Sequence, residues 1–139
     1  MSEVSVITPV HNRPEFLEEA IRSIQSQTYT DWEHIIIDDG STNPLTREVL
    51  KKVSQYPNVF IYRTENKGVG HARNFGIERS TGKYILTLDD DDIWGSLFME
   101  KAIYYFETQA NTGIVTSWMK EFGARNRLIK PAGGGILNF

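Results

Sequence analysis

The chain contains no cysteine. Disulfides, thiol nucleophiles and cysteine-ligated zinc are therefore excluded, and the redox compartment stays open. It also lacks an excess of positive charge. Its 15 Lys and Arg stand against 18 Asp and Glu, a net charge of -3. A broad basic face for nucleic acid is not expected. Long hydrophobic runs are missing too. The apolar stretch from Val4 to Val10 follows Glu3 and is broken by Pro9, so it does not read as a signal peptide. No segment approaches the ~20 apolar residues that span a bilayer. Internal repeats are absent, and low complexity is confined to Gly133-Gly134-Gly135. The three histidines, His11, His34 and His71, include no i, i+4 pair of the kind that holds zinc on a helix. His34 and His71 read as structural or exposed.

What is present suits one folded domain. The 139 residues are 40% hydrophobic and 24% charged, enough for a real core. "VSVITPV" (4–10) reads as a strand covered on both faces, because nearly every position is apolar. Asn12 is expected to cap a helix that has Pro14 in its first turn and Glu15 closing a capping box. Leu17, Ala20, Ile21 and Ile24 continue at helical spacing. "HIIID" (34–38) is a second buried strand, followed by the turn Asp39-Gly40-Ser41-Thr42 and a helix through Leu45, Val49 and Val53. "VFIYR" (59–63) is a third strand, and 68–78 a helix with glycine at its entrance. "KYILTL" (83–88) is a fourth strand. Phe98, Ala102, Tyr105 and Phe106 mark another helix, and "GIVTSW" (113–118) a fifth strand. Beyond it a short hairpin is the most that can be read.

Alternating strands and helices predict an α/β fold: a mostly parallel, doubly wound sheet with helices on both faces. Ligands of such sheets bind outside the carboxyl ends of the strands, near the switch in strand order. The unusual polar residues fall there. His11 and Asn12 follow the first strand, Asp38 and Asp39 end the second, and Asp89 to Asp92 follow the fourth.

Four adjacent aspartates leave two readings open. They form a solvated acidic turn, or they hold a hard divalent cation such as Mg²⁺ or Mn²⁺, whose remaining positions phosphate oxygens fill. An EF-hand does not fit. With Asp89 as its first position the obligatory glycine falls on Trp94, and with Asp90 first the closing glutamate falls on Lys101. Asp39 at a strand end suits hydrogen bonds from a ribose or a base N–H, or else Asp38 and Asp39 cap the following helix. Arg73 either faces the crevice, toward a base edge or a phosphate, or makes a surface salt bridge. The glycines before it match neither a Walker loop nor a G-x-G-x-x-G fingerprint.

The segments "VSVITPVHNRPEFLEEAIRSIQSQTYTDWEHIIIDDGST" and "NKGVGHARNFGIERSTGKYILTLDDDDIW" carry four motifs in order. These are the loop after the first strand, the D-D-G-S turn, the G-x-x-x-A-R-N helix and the L-D-x-D-D run. Together they resemble the nucleotide-binding half of a family 2 glycosyltransferase of the GT-A, Rossmann-like fold, over Val4 to about Trp118. The resemblance implies an inverting transferase that uses a nucleotide diphosphate sugar, UDP-linked by preference, and a divalent metal, Mn or Mg. Polysaccharide or cell-wall biosynthesis is the implied setting. Pro9 and His11 would line the base pocket, where the family often has tyrosine in place of His11. Asp39 would bind base or ribose, Arg73 the base side, and Asp90 the ribose and metal region. Asp91 would be the metal ligand on the diphosphate and Asp89 a second metal-side residue, with Asp92 supporting the loop.

The resemblance also implies that residues 1–118 form the donor-binding domain and 119–139 the start of an acceptor-side region. On this expectation the chain is truncated before the acceptor half. The general base would lie beyond residue 139, and the acceptor (a sugar, glycan or lipid) is not specified. The apolar ending Ile136, Leu137 and Phe139 predicts self-association through the truncated edge. The expected location is cytoplasmic, peripheral to the membrane in a full-length protein. Two alternatives remain: a non-catalytic nucleotide-binding module, and a receiver-type phosphoacceptor domain. The latter would need an aspartate at the end of the third strand and a lysine at the end of the fifth.

Overall fold

The computed structural model describes residues 2–117 and 119–129. Gly133 to Gly135 and the apolar ending, with the self-association expectation that rests on it, lie outside the described residues. The chain divides into two compact units, Met1–Leu97 and Phe98–Phe139.

The first unit is built on four parallel strands: β1 (Val4–Val10), β2 (Trp32–Asp39), β3 (Val59–Thr64) and β4 (Tyr84–Thr87). Their order across the sheet is β3-β2-β1-β4. The chain therefore moves outward from β1 to β3, then crosses back to place β4 on the other side of β1. β1 and β2 are buried at every position: β1 is apolar apart from Ser5 and Thr8, and β2 carries the apolar run Ile35-Ile36-Ile37 between the buried polar residues Glu33, His34, Asp38 and Asp39.

Three helices cover the two faces: α1 (Pro14–Gln25), α2 (Pro44–Val53) and α3 (Val69–Ile77). Side-chain alternation along β2 sorts the core. Ile36 joins Val10, Leu17, Ile21, Leu50, Val53 and Val59 on the α1 and α2 side. Ile35 and Ile37 join Ala72 and the partly buried Phe75 on the α3 side. Each fully buried isoleucine contributes ~1.5–3 kcal/mol relative to exposure, so three in succession tie both layers to one strand. Gly76 allows α3 to lie close to the sheet, since a Cβ there would stand 2.6 Å from Ile7 Cγ2.

Helix α1 starts as expected at Pro14, but Asn12 is not its cap. Arg13 occupies the N-cap position and makes no side-chain cap bond. Helix α2 is capped by Asn43, whose side chain accepts from the Leu45 N–H at 2.9 Å. Neither Asp38 nor Asp39 caps it.

The second unit contains α4 (Phe98–Thr108) and a hairpin of β5 (Met119–Glu121) and β6 (Arg127–Ile129), paired antiparallel. The hairpin is the one foreseen. Helix α4 is the one expected from Phe98, Ala102, Tyr105 and Phe106; it buries Met99, Ala102 and Ile103, while Tyr105 is half exposed. One other expectation needs correction. Residues 113–117 of "GIVTSW" form no strand, and Trp118 lies outside the described residues. Ile114 is 48% exposed, so β-propensity in this segment is not backed by a face to bury or a ladder to join. No helix among the described residues is long and apolar enough to cross a membrane.

Candidate functional site

Parallel register brings the carboxyl ends of the strands level. Val10 pairs with Asp38, Asp39 with Thr64, and Ile7 with Thr87. The Leu88 N–H still donates to the Ile7 carbonyl at 3.1 Å, so the aspartate run begins where that ladder ends. The result is a cleft of about 440 Å³ lined by Pro9, Val10, His11, Arg13, Asp39, Asn66, Gly68, Val69, Arg73, Asp89, Asp90 and Asp91. Every residue assigned to a nucleotide or a metal from the sequence lines it.

The loop after β1 is organised by Asn12. Its φ of 56° turns the chain sharply. Its Oδ1 accepts from the Thr42 and Asn43 N–H groups at 2.8 and 2.9 Å, and its own N–H donates to Ser41 Oγ at 3.1 Å. Asn12 thus laces the β1 loop to the β2 loop. His11 does the same from the other side. Its Nδ1 lies 2.8 Å from the Asp39 carbonyl oxygen. A carbonyl can only accept, so Nδ1 carries the proton. Nε2 is then the acceptor that meets Asn12 Nδ2 at 3.2 Å.

The two aspartates that end β2 have different jobs. Asp38 is buried and turned away from the cleft. It pairs with Arg63 and accepts from the Ser41 N–H at 2.8 Å. Arg63 also donates to the Ser41 carbonyl at 2.8 Å. Asp39 faces the cleft. Its Oδ1 accepts from Thr64 Oγ1 at 2.8 Å and the Lys67 N–H at 3.0 Å, and its Oδ2 from the Gly68 N–H at 2.7 Å. Burial alone would raise this carboxyl. The Lys67, Thr64 and Gly68 donors outweigh it and hold the group below the usual carboxylate value. Gly68, with φ 93°, supplies the N–H that no L side chain would present easily in that backbone conformation. Three of roughly four acceptor positions of Asp39 are filled, leaving about one for a ligand.

Arg73 lies one turn into α3 and its Nη2 stands 2.5 Å from Asp89 Oδ1. Its Nε is buried with no hydrogen-bond partner. Crevice placement and ion pairing, offered above as alternatives, thus hold together. Asp90 is buried. Its Oδ2 accepts from the His11 N–H at 3.4 Å, and burial, the largest influence on it, raises its carboxyl. Asp91 Oδ2 lies 2.5 Å from Arg13 Nη1, which is also 3.8 Å from Asp90 Oδ1. Asp92 does not line the cleft; its N–H closes a turn onto the Asp89 carbonyl at 3.1 Å. Arg13 was missed in the sequence. Its signal was available: a cation at a strand end, two residues after His11.

Among the described residues no three His, Cys, Asp or Glu side chains converge as a ready metal cage. The donors nevertheless suit a hard cation bound in the open manner, through one or two carboxylates with water and substrate oxygens completing the shell. The same geometry counts against a phosphoacceptor domain. β3 ends in Arg63 and Thr64, without an aspartate, and the described part of 113–118 supplies no fifth parallel strand.

Residues 5–134 match the family model "Glycosyl transferase family 2". The chain belongs to glycosyl transferase family 2. Among its relatives is TuaG of Bacillus subtilis (strain 168), named for teichuronic acid biosynthesis, 39% identical over 73% of this chain and 41% of that protein. EpsE of the same organism, named as a glycosyltransferase, is 33% identical over 94% of this chain and 49% of its own length. The chain spans less than half the length of these curated relatives. Among solved structures, S. aureus TarS 1-349 superimposes with a TM-score of 0.69 at 25% identity, covering 76% of this chain and 32% of that one. TarS has been solved with UDP and with UDP-GlcNAc. A mannosyltransferase from Pyrobaculum calidifontis, solved with GDP-Man and Mn²⁺, shares the fold with a TM-score of 0.71 at 23% identity, over 81% of this chain and 34% of that one. The four-stranded parallel sheet with its strand-end cleft is thus the GT-A type of this family.

Proposed function

We propose that this chain binds the nucleotide diphosphate sugar donor for a metal-assisted, inverting transfer of a sugar to an acceptor hydroxyl. The observation that carries the reading is the convergence of Asp39, Arg73 and Asp89 to Asp91 on one strand-end cleft in a family 2 chain. A UDP-sugar is the preferred donor, supported by TarS, which binds UDP and UDP-GlcNAc at 25% identity. Residues 1–118 act as the donor-binding domain and 119–139 as the beginning of an acceptor-side region. The acceptor is a sugar, glycan or lipid hydroxyl.

In this reading Pro9 and His11 wall the base pocket, with the His11 ring fixed by the Asp39 carbonyl. Asp39 uses its remaining acceptor position for a base N–H or a ribose hydroxyl. Arg73 addresses the base side, and Asp90 the ribose and metal region. Asp91, with Asp89, would hold the divalent cation, Mn or Mg, which when bound neutralises charge that develops on the leaving diphosphate. The family's base would deprotonate the acceptor hydroxyl for attack at the anomeric carbon. No cleft carboxylate is assigned that role, because Asp39, Asp89, Asp90 and Asp91 are all assigned to the nucleotide or the cation.

A thermal-shift panel of UDP, GDP, UMP and uridine, with Mn²⁺ present, tests the ligand class. The expected order places the diphosphates above UMP and UMP above uridine. Absence of a shift with every nucleotide would contradict donor binding. A non-catalytic module would give the same shifts, so it is separated by turnover of UDP-sugars: donor hydrolysis or transfer that is lost on Asp91→Asn excludes it.

A further inference from the structure

We infer that Arg13 is a built-in counter-ion that occupies the Asp90–Asp91 carboxylates and must be displaced when a divalent cation binds. The inference rests on the metal reading given under Proposed function and concerns this chain's own side chains.

Three carboxylates in sequence repel one another, and the folded cleft relieves this with two guanidinium groups, one from α3 and one from the loop after β1. Arg73 takes Asp89, at 2.5 Å. Arg13, from the loop after β1, takes Asp91 at 2.5 Å and stands 3.8 Å from Asp90. The two pairs are not equivalent. Arg73 is part of α3 and its Nε is buried. Arg13 is 56% exposed and its partner Asp91 is 42% exposed. A solvated pair of this kind is weak and exchangeable.

Nothing in α1 calls for arginine at this position. It is the N-cap residue and makes no capping bond. Cations are also disfavoured at helix N-termini, where the macrodipole is positive. The acidic run across the cleft is the feature that its charge matches. A divalent cation at Asp91 would share the carboxylate whose Oδ2 Arg13 Nη1 already contacts, so the two compete for its charge. They also repel each other, which adds to the effect. Metal alone should therefore bind less tightly than the density of carboxylates suggests, and removal of Arg13 should release that restraint.

The test is a Mn²⁺ titration without nucleotide, followed by the electron paramagnetic resonance signal of free Mn²⁺. It compares the wild-type chain with Arg13→Gln, Arg13→Lys and Asp91→Asn. An exposed ion pair of the usual strength converts to a gain of about two- to fivefold in Mn²⁺ affinity for Arg13→Gln. Arg13→Lys should fall between wild type and Arg13→Gln, because lysine keeps the charge and loses the fork. Asp91→Asn should lose the site. That graded order would not arise from a structural role of Arg13, and circular dichroism identifies a variant that fails to fold. Should Arg13→Gln unfold, Arg13→Lys against wild type decides alone. Affinity in the Arg13 variants at or below wild type, with Asp91→Asn still defective, overturns the counter-ion role and leaves the metal reading intact. No Mn²⁺ binding by any variant, with UDP present as well, overturns both.

Discussion

Asp39 at the end of β2 holds the entrance of α3, its Oδ2 accepting from the Gly68 N–H at 2.7 Å. The residue proposed to read the nucleotide therefore also builds the wall beside it. Asp39→Asn places an amide NH₂ against a backbone or hydroxyl donor. The expected cost is about 1–3 kcal/mol of stability, measured by urea denaturation, together with weaker UDP binding. A variant with wild-type stability would show that the loop contacts at Asp39 carry little energy.

Close packing of α3 on β1 gives a second prediction. A methyl group on Gly76 would stand 2.6 Å from Ile7 Cγ2 and 3.4 Å from Ile37 Cγ1. Gly76→Ala gains helix propensity, but the overpacking should dominate and destabilise by about 1–3 kcal/mol. Denaturation midpoints check this. A more stable Gly76→Ala variant would mean that the helix can withdraw from the sheet at little cost.

The buried histidine predicts a pH dependence. His34 is fully buried, with Nε2 2.9 Å from Thr8 Oγ1, and burial lowers its pKa from 6.5 to about 3. Its folded pKa lies below the unfolded one, so the unfolded chain takes up a proton first as pH falls. Stability is full above about pH 6.5 and is lost progressively toward pH 3, with about 2 kcal/mol lost between pH 7 and pH 5. Asp90, raised by burial, works in the opposite direction in the carboxylate range. Comparing wild type with His34→Gln at pH 7, 6 and 5 isolates the histidine. An equal loss in both proteins would assign the acid sensitivity elsewhere.

Much of this arrangement was legible in the sequence, for identifiable reasons. β1 and β2 are buried on both faces, so their apolar runs stand out without periodicity. The cleft was legible because parallel strands deliver their carboxyl ends to one edge, and His11, Asp39 and the aspartate run all follow strands. Long-range pairing was not legible. Asn12 looks like a helix cap locally, but its φ of 56° turns it toward Thr42 and Asn43, about thirty residues away. Arg13 looks like a surface residue until the fold brings Asp91 to it from 78 residues along the chain. "GIVTSW" has the composition of a strand, and composition alone does not provide a neighbour to pair with.

In the proposed function this cleft binds a nucleotide diphosphate through a divalent cation held at Asp91. Isothermal titration calorimetry with UDP, in Mn²⁺ and again in EDTA, tests it most directly. UDP should bind at least about tenfold more tightly with Mn²⁺, since an interaction with a charged group is worth ~1.5–3 kcal/mol, and Asp91→Asn should remove most of this difference. Equal UDP affinity with and without the metal in the wild-type chain would contradict it.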